Sequence, residues 1–201
     1  MVDDQSLASL LRVYAQPVKE LFRVQRHEDL SVLELKALGE LFDGEYLGEH
    51  GRWTPDAPYG YSPANVHVLG FRGPFLVAHV GFQPRVIAVG TNDVLVAGTG
   101  RVLVDHRFGG TGLGSRAMRH AQKAMRDEAG VDFGFLGCRE EVVPFYEATG
   151  WYQVHATERC VSHVDQASVI VSQGGPALVC SAIRDARQWP HGDIDLHGTP
   201  W

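Results

Sequence analysis

The sequence predicts a mixed α/β (α+β) domain whose central sheet is antiparallel in its first half and carries helices on both faces. Three observations predict it. Residues 66–104 form a run of apolar alternation broken only by turn residues, Gly73-Pro74 and Gly90-Thr91-Asn92, as an antiparallel meander requires. The period then changes, with Leu113, Ala117, Ala121 and Met125 recurring every fourth residue, which is helical spacing. Between the two patterns lies a cluster of glycines. The 201 residues and 22.1 kDa suit one domain, 1–201, with a helical extension at 1–19 and a tail at 185–201.

The elements follow in order. Leu7, Leu10, Leu11 and Tyr14 predict a short amphipathic helix over residues 3–15, ended by Pro17. Leu21 to Gln25 reads as a strand. The next helix carries Leu30, Leu33, Leu38 and Leu41, with Asp29 able to cap it and Gly44 closing it. Residues 48–64 are rich in Gly, Pro and aromatics and cannot be a regular element. Trp53, Tyr59 and Tyr61 in this loop either pack on one another or wall a binding cleft. Val66 to Phe71 is a strand, Phe75 to Val89 is one long strand interrupted at Pro84, and Asp93 to Val104 returns. A helix over about 112–128 ends at Gly130. Phe133 to Cys138 is a strand, Glu140 to Thr149 a helix capped by Gly150, and Trp151 to Val154 begins another strand. Ser168 to Val171 and Pro176 to Ile183 read as a closing hairpin, and the tail from Trp189 is irregular.

Composition excludes several classes. A formal charge of −6 and a pI near 5.9 repel phosphate backbones, so no nucleic-acid partner is expected. Cys138, Cys160 and Cys180 form no CxxC pair, so neither a zinc site nor a disulfide framework is expected. Ten histidines show no HExxH spacing, and no metal is expected. No apolar run approaches the roughly 18 residues of a membrane span, and the first residues are acidic where a signal peptide is basic. The expectation is a cytoplasmic protein without a membrane partner.

The strongest local signal is Val102-Leu103-Val104 running through Asp105-His106-Arg107-Phe108 into Gly109-Gly110-Thr111-Gly112-Leu113-Gly114-Ser115. A strand ends in a glycine-rich turn that opens directly into a helix. Glycine allows close backbone approach, and unpaired amides at the helix start stabilise an anion such as a phosphate. The turn lacks the Gly-Lys-Ser/Thr of a Walker loop and the acidic partner of a dinucleotide fingerprint.

The next segment, Phe133 to Cys138 followed by a helix ending Tyr146-Glu147-Ala148-Thr149-Gly150-Trp151, makes the chain resemble the GNAT acyltransferase superfamily. That family joins R/Q-x-x-G-x-G/A to a helix ending Y-x-x-x-G-F. Gly109 stands where the family has Arg or Gln. The resemblance implies acetyl-CoA as cofactor. It places the pantetheine arm along Val102, Leu103 and Val104, the phosphates over Gly109 to Ser115, and Cys138 and Tyr146 at the thioester. Tyr146 would protonate the departing thiolate.

Ala78-His79 with Gln83 to Ile87, and the ending Trp189-Pro190-His191-Gly192-Asp193-Ile194-Asp195 to Trp201, resemble aminoglycoside 2′-N-acetyltransferases. The aromatic loop is most similar to their kasugamycin-type branch. The same segments resemble, more distantly, the nodulation N-acyltransferases. The resemblance implies direct acetyl transfer to an amino group, the 2′ position above all, of an aminoglycoside antibiotic, conferring resistance. A small amino-sugar substrate is the implied partner, and a homodimer is compatible. Such a cationic acceptor calls for carboxylates: Asp43, Asp56, Glu140, Asp193, Asp195 and the end of the chain at Trp201, beside the aromatic walls Trp53, Tyr59 and Tyr61. The family's acid on the strand at 98–102 is missing, so the base falls to His79, Glu140, Glu141 or the Trp201 carboxylate. The alternatives are N-acylation of another amino sugar, such as a chitooligosaccharide, and a non-catalytic domain that binds CoA or an antibiotic.

Overall fold

A computed structural model describes residues 19–173 and 175–201. The expected helix at 3–15 lies outside the described residues. Strand β1 (Glu20–Arg26) leads through a 3₁₀ turn at His27–Asp29 to helix α1 (Val32–His50). Ser31, not Asp29, caps α1: its hydroxyl accepts from the Glu34 amide at 3.2 Å, and the Glu34 carboxylate accepts from the Ser31 amide at 2.9 Å. This reciprocal pair satisfies two amides left orphaned at a helix start. The helix runs through Gly44 and stops at Gly51, whose φ is 77°. Its buried stripe is Leu38 and Phe42, while Leu33 is exposed.

Strands β2 (Val66–Arg72), β3 (Phe75–Val89) and β4 (Asn92–Val104) form the expected meander. Strand β3 is not interrupted at Pro84, which lies opposite Ala97. The missing N–H is tolerated because β2 pairs with β3 only as far as Phe82 and β10 (Ile194–Asp195) only at Ala88 and Val89. Pro84 therefore stands on a locally free edge. Helix α2 (Leu113–Asp127) follows, then β5 (Phe133–Gly137), a 3₁₀ turn at Glu140–Val142 and the short helix α3 (Val143–Glu147). The last strands are β6 (Trp151–Val154), β7 (Glu158–Val161), β8 (Val169–Ser172) and β9 (Ala177–Ser181). The expected hairpin of the last two does not form: β8 pairs with β7, while β9 pairs with β5 and β6.

The sheet runs β6-β9-β5-β4-β3-β10-β7-β8, with β2 and β1 joined to β3. One face is covered by α2 and α3, where Leu113, Ala117, Met118, Ala121 and Met125 pack on Val80, Phe82, Ala97 and Leu136. The other face carries α1 over β2, β3 and Leu103 of β4. Its remaining part lies under the tail and β10, where Ile194 and Leu196 pack on Val96, Phe133 and Phe135. No helix among the described residues is long and apolar enough to cross a membrane.

Candidate active site

The site grows from a break in the sheet. Strands β4 and β5 are parallel, but they pair only from Val96–Gly98 to Phe133–Phe135. Beyond that point β4 runs on to Val104 and β5 to Gly137 without pairing. A two-residue irregularity in β4 produces the divergence. His79 lies opposite Leu103 and Gly81 opposite Gly100, leaving Arg101 in a bulge with φ 52°. A bulge bends its strand and frees backbone groups from the ladder.

At the end of β4 the glycine-rich turn leads into α2. Asp105 accepts from the Arg107 amide at 3.0 Å and clamps the Arg107 guanidinium, which is thereby turned back on the turn itself. Gly110 and Gly112 sit at φ 72° and 74°, and a side chain on Gly110 would meet open space. Gly114 lies tight against Phe145 and Val104. The first amides of α2 lie beside the end of β4, since Gly114 abuts Val104. A 15-residue helix presents a positive dipole end there.

At the end of β5 stand Cys138 and Tyr146. The Cys138 amide donates to the Pro176 carbonyl at 3.0 Å. Its thiol is pushed up to about 11 by burial and by Glu140, so it stays protonated and is a poor nucleophile. Tyr146 packs edge-on against Phe145 and Trp151. Burial raises its hydroxyl well above the ordinary tyrosine range, and Cys138 and Tyr46 of α1 act in the same direction. A phenol so disposed holds its proton until a stronger base forms beside it.

The aromatic loop docks on α1. Trp53 stacks on Phe42 with ring centroids 5.4 Å apart, and Tyr59 meets Tyr46 and His50 edge-on or tilted. Asp43 accepts from the Trp53 amide at 2.8 Å, which ties the loop to the helix. The Trp53 indole nitrogen and the Tyr59 hydroxyl are buried without a partner among the described residues. Tyr61 leaves this cluster and stacks on His163 at 4.2 Å. Asp56 is exposed.

His79 does not stand as a free base. It is 1% exposed and both ring nitrogens are engaged. The Arg101 carbonyl accepts from Nδ1 at 2.9 Å. That leaves Nε2 to accept from His67 Nδ1 at 2.9 Å, and His67 Nε2 to accept from His27 Nδ1 at 3.0 Å. Burial holds the His79 imidazole well below its ordinary range. Its role in the geometry is to anchor the bulge. Asp193 and Asp195 are likewise not brought to the break. They lie at β10, beside Ala88 and Val89, where Asp195 is paired with Arg159 and accepts from the His197 amide. Glu140 opens the 3₁₀ turn after β5 and is exposed.

Trp201 reaches the site from the tail. Its ring lies where a side chain on Gly98 would be and its main chain where one on Gly100 would be; the ring meets Phe135 edge-on at 6.2 Å and is covered by the Arg85 guanidinium at 4.2 Å. The indole donates to Gln83 Oε1 at 3.0 Å. Arg85 also donates to the carbonyls of Leu196 and Thr199 and to the Ser62 hydroxyl. Arg101 donates to the Ser62 carbonyl at 2.6 Å, and its second terminal nitrogen is buried without a partner. Neither Arg85 nor Arg101 has a carboxylate partner within the described residues. Arg85 and Arg101 thus share this side of the break with the main-chain end of Trp201, which lies against Gly100. Sequence reasoning missed Arg101, Tyr46 and the histidine chain. Alternation in β2 and β3 signals that His67 and His79 point inward together, but it does not show that they touch.

The family model for Nodulation protein A (NodA) matches residues 58–199. The chain belongs to the NodA family. This brings the nodulation resemblance forward, and it does not extend to the aminoglycoside 2′ branch. No curated protein matches the chain. Among solved structures, the Escherichia coli GNAT family N-acetyltransferase YhbS in complex with CoA aligns with a TM-score of 0.61 and 16% identity, over 90% of this chain and 92% of that one. Escherichia coli ElaA aligns at 0.57 and 19% identity, over 81% and 100%. A Brucella melitensis GNAT family acetyltransferase in complex with acetyl-CoA aligns at 0.52 and 14%, over 88% and 95%. This NodA-family chain has the GNAT N-acetyltransferase fold.

Proposed function

We propose that the protein transfers an acetyl group from acetyl-CoA to the amine of an amino sugar, with the aminoglycoside 2′-amine as the acceptor position. The observation that carries the reading is the divergence of β4 and β5 beyond Gly98 and Phe135, with the glycine-rich helix start at one end and Tyr146 beside Cys138 at the other. The residues present suit the donor. Open space at Gly110 and the helix start at Gly112 to Ser115 suit a pyrophosphate, and Val102 to Val104 offer unpaired strand edge to a pantetheine arm. CoA-bound neighbours of this fold support the assignment. Bound there, the donor supplies an activated carbonyl and a thiolate leaving group. The protein holds the two reactants in line, and Tyr146 gives its proton at the departing sulfur.

The charge around Arg85 and Arg101 refines the acceptor. Two cations without carboxylate partners repel a polycation, so an amino sugar with one or two amines fits better than a heavily aminated aminoglycoside. The expected outcome is acetyl transfer from acetyl-CoA to kasugamycin or glucosamine, with slower turnover of aminoglycosides as amine count rises. Thiol release followed for each acceptor checks it, and the absence of turnover on every member removes the amino-sugar reading. A second reading, favoured by the NodA family match, is transfer of a longer acyl chain to a chitooligosaccharide amine. A higher rate with long-chain acyl donors than with acetyl-CoA selects it.

A further inference from the structure

Strand β7 turns a carboxylate toward the end of β5. Glu158 shares an inward-facing alternation with Cys160, while Arg159 between them is exposed. Glu158 lies opposite Ile194 in the parallel pairing with β10 and opposite Ser172 of β8. In front of it is a cavity of about 180 Å³, lined by Gly137, Cys138, Ala156, Pro176, Ala177 and Ile194 as well as Glu158. The space is smaller than the roughly 300 Å³ of a pocket that holds a whole drug-sized ligand. It suits one substituent of a larger molecule. The Glu158 carboxylate makes no ion pair or hydrogen bond to any described residue, and burial alone raises it above the ordinary range. Among the carboxylates singled out from sequence, Asp43 and Asp195 are held by partners, while Asp56 and Glu140 are exposed. Cys138 lines this cavity and also packs against the apolar cluster that contains Tyr146.

Resting on the acyl-transfer reading above, we infer that Glu158 is the carboxylate that binds the acceptor amine and takes its proton. The ammonium form of the acceptor gives one proton to the Glu158 carboxylate, which passes it to solvent. The freed nitrogen lone pair forms the C–N bond at the thioester carbonyl as the C–S bond breaks. Tyr146 gives its proton to the departing sulfur, and the second proton lost by the nitrogen restores the Tyr146 hydroxyl through water. The sum is one amide, one free thiol and one released proton.

A carboxyl raised by burial is also a better base, because its pKa lies nearer the operating pH. Two other carboxylates act nearby, Glu140 on Cys138 and Asp195 on Cys160. Asp195 and Glu158 both raise Cys160, and Asp195 is itself held by Arg159.

The test compares wild type, Glu158→Gln and Glu158→Asp with acetyl-CoA and kasugamycin or glucosamine, across pH 5.5 to 9. Glu158→Gln is expected to lower kcat by about 10² to 10⁴-fold and to move the acidic limb of the profile up to the acceptor amine's own titration, so that rate recovers as the free amine becomes abundant at high pH. Glu158→Asp is expected to keep that limb with a reduced rate. An independent readout is calorimetric binding of the acceptor alone in buffers of different ionisation heat. Wild type is expected to show proton transfer coupled to acceptor binding, and Glu158→Gln to lose it while acetyl-CoA still binds with unchanged affinity. Wild-type turnover with unchanged kcat, pH profile and proton coupling in Glu158→Gln overturns the role of Glu158 and leaves the function intact. No turnover by wild type on any amine overturns the function and this inference with it.

Discussion

At the residue scale, Tyr146 gives the sharpest expectation. Its ring is fixed by Phe145 and Trp151, and its hydroxyl has no hydrogen-bond partner among the described residues. A high intrinsic pKa makes it useless as a base at neutral pH and well suited to protonate a thiolate. Tyr146→Phe keeps the packing and removes the proton. It is expected to lower kcat by about 10²-fold while leaving CoA affinity unchanged, as measured by steady-state kinetics beside calorimetry. An unchanged kcat would remove the acid role. Tyr146 was legible from its spacing to Gly150-Trp151, because a helix of fixed pitch converts sequence distance into position. Glu158 was not legible. Its relevance comes from β7 joining the sheet through β10, and no local pattern encodes that long-range pairing.

At the scale of elements, the tail and β4 specify one another. A methyl group on Gly98 would lie 1.9–2.2 Å from three atoms of the Trp201 ring, so the ring is seated only because the strand lacks a side chain there. Gly98→Ala is expected to destabilise the fold by about 1–3 kcal/mol and to shift indole emission to the red as Trp201 leaves its seat. In a Trp201→Ala background the same substitution should cost much less, since the clash is gone. Equal costs in both backgrounds would mean that the contact does not hold the tail. Arg85 reinforces the junction by joining β3, Ser62 and the carbonyls of Leu196 and Thr199. The tail read as irregular from sequence because its order comes from these long-range partners and not from its own hydrogen bonds.

At the scale of the whole molecule, the buried histidine chain makes stability depend on pH. Burial lowers His67 to about 3, and His79 is lowered as well. In the unfolded chain both titrate near about 6.5. Between those values the unfolded chain takes up protons that the fold refuses. The stabilisation is therefore complete above about 6.5 and is lost as pH falls toward the folded values. Each histidine contributes a slope of up to about 1.4 kcal/mol per pH unit. Urea unfolding at pH 7.5, 6.5 and 5.5 is expected to show a falling midpoint well before the carboxylates titrate. A midpoint that stays flat to pH 5 would contradict the burial of the chain.

Read alone, the sequence determined the meander, the glycine-rich turn, the four-residue period of α2 and the Tyr146 to Gly150 spacing. These are local matters, set by side-chain periodicity and by backbone freedom at glycine. It also pointed to the resemblance that placed this chain among GNAT-like acyltransferases. Only the tertiary structure decided where the charges stand. It withdrew Asp193 and Asp195 to β10, closed His79 into a chain of three histidines, set Arg85 and Arg101 beside the break, and turned Glu158 toward Cys138. The physical reason is that a charged side chain's environment depends on strands distant in sequence, whose pairing is selected by burial across the entire sheet.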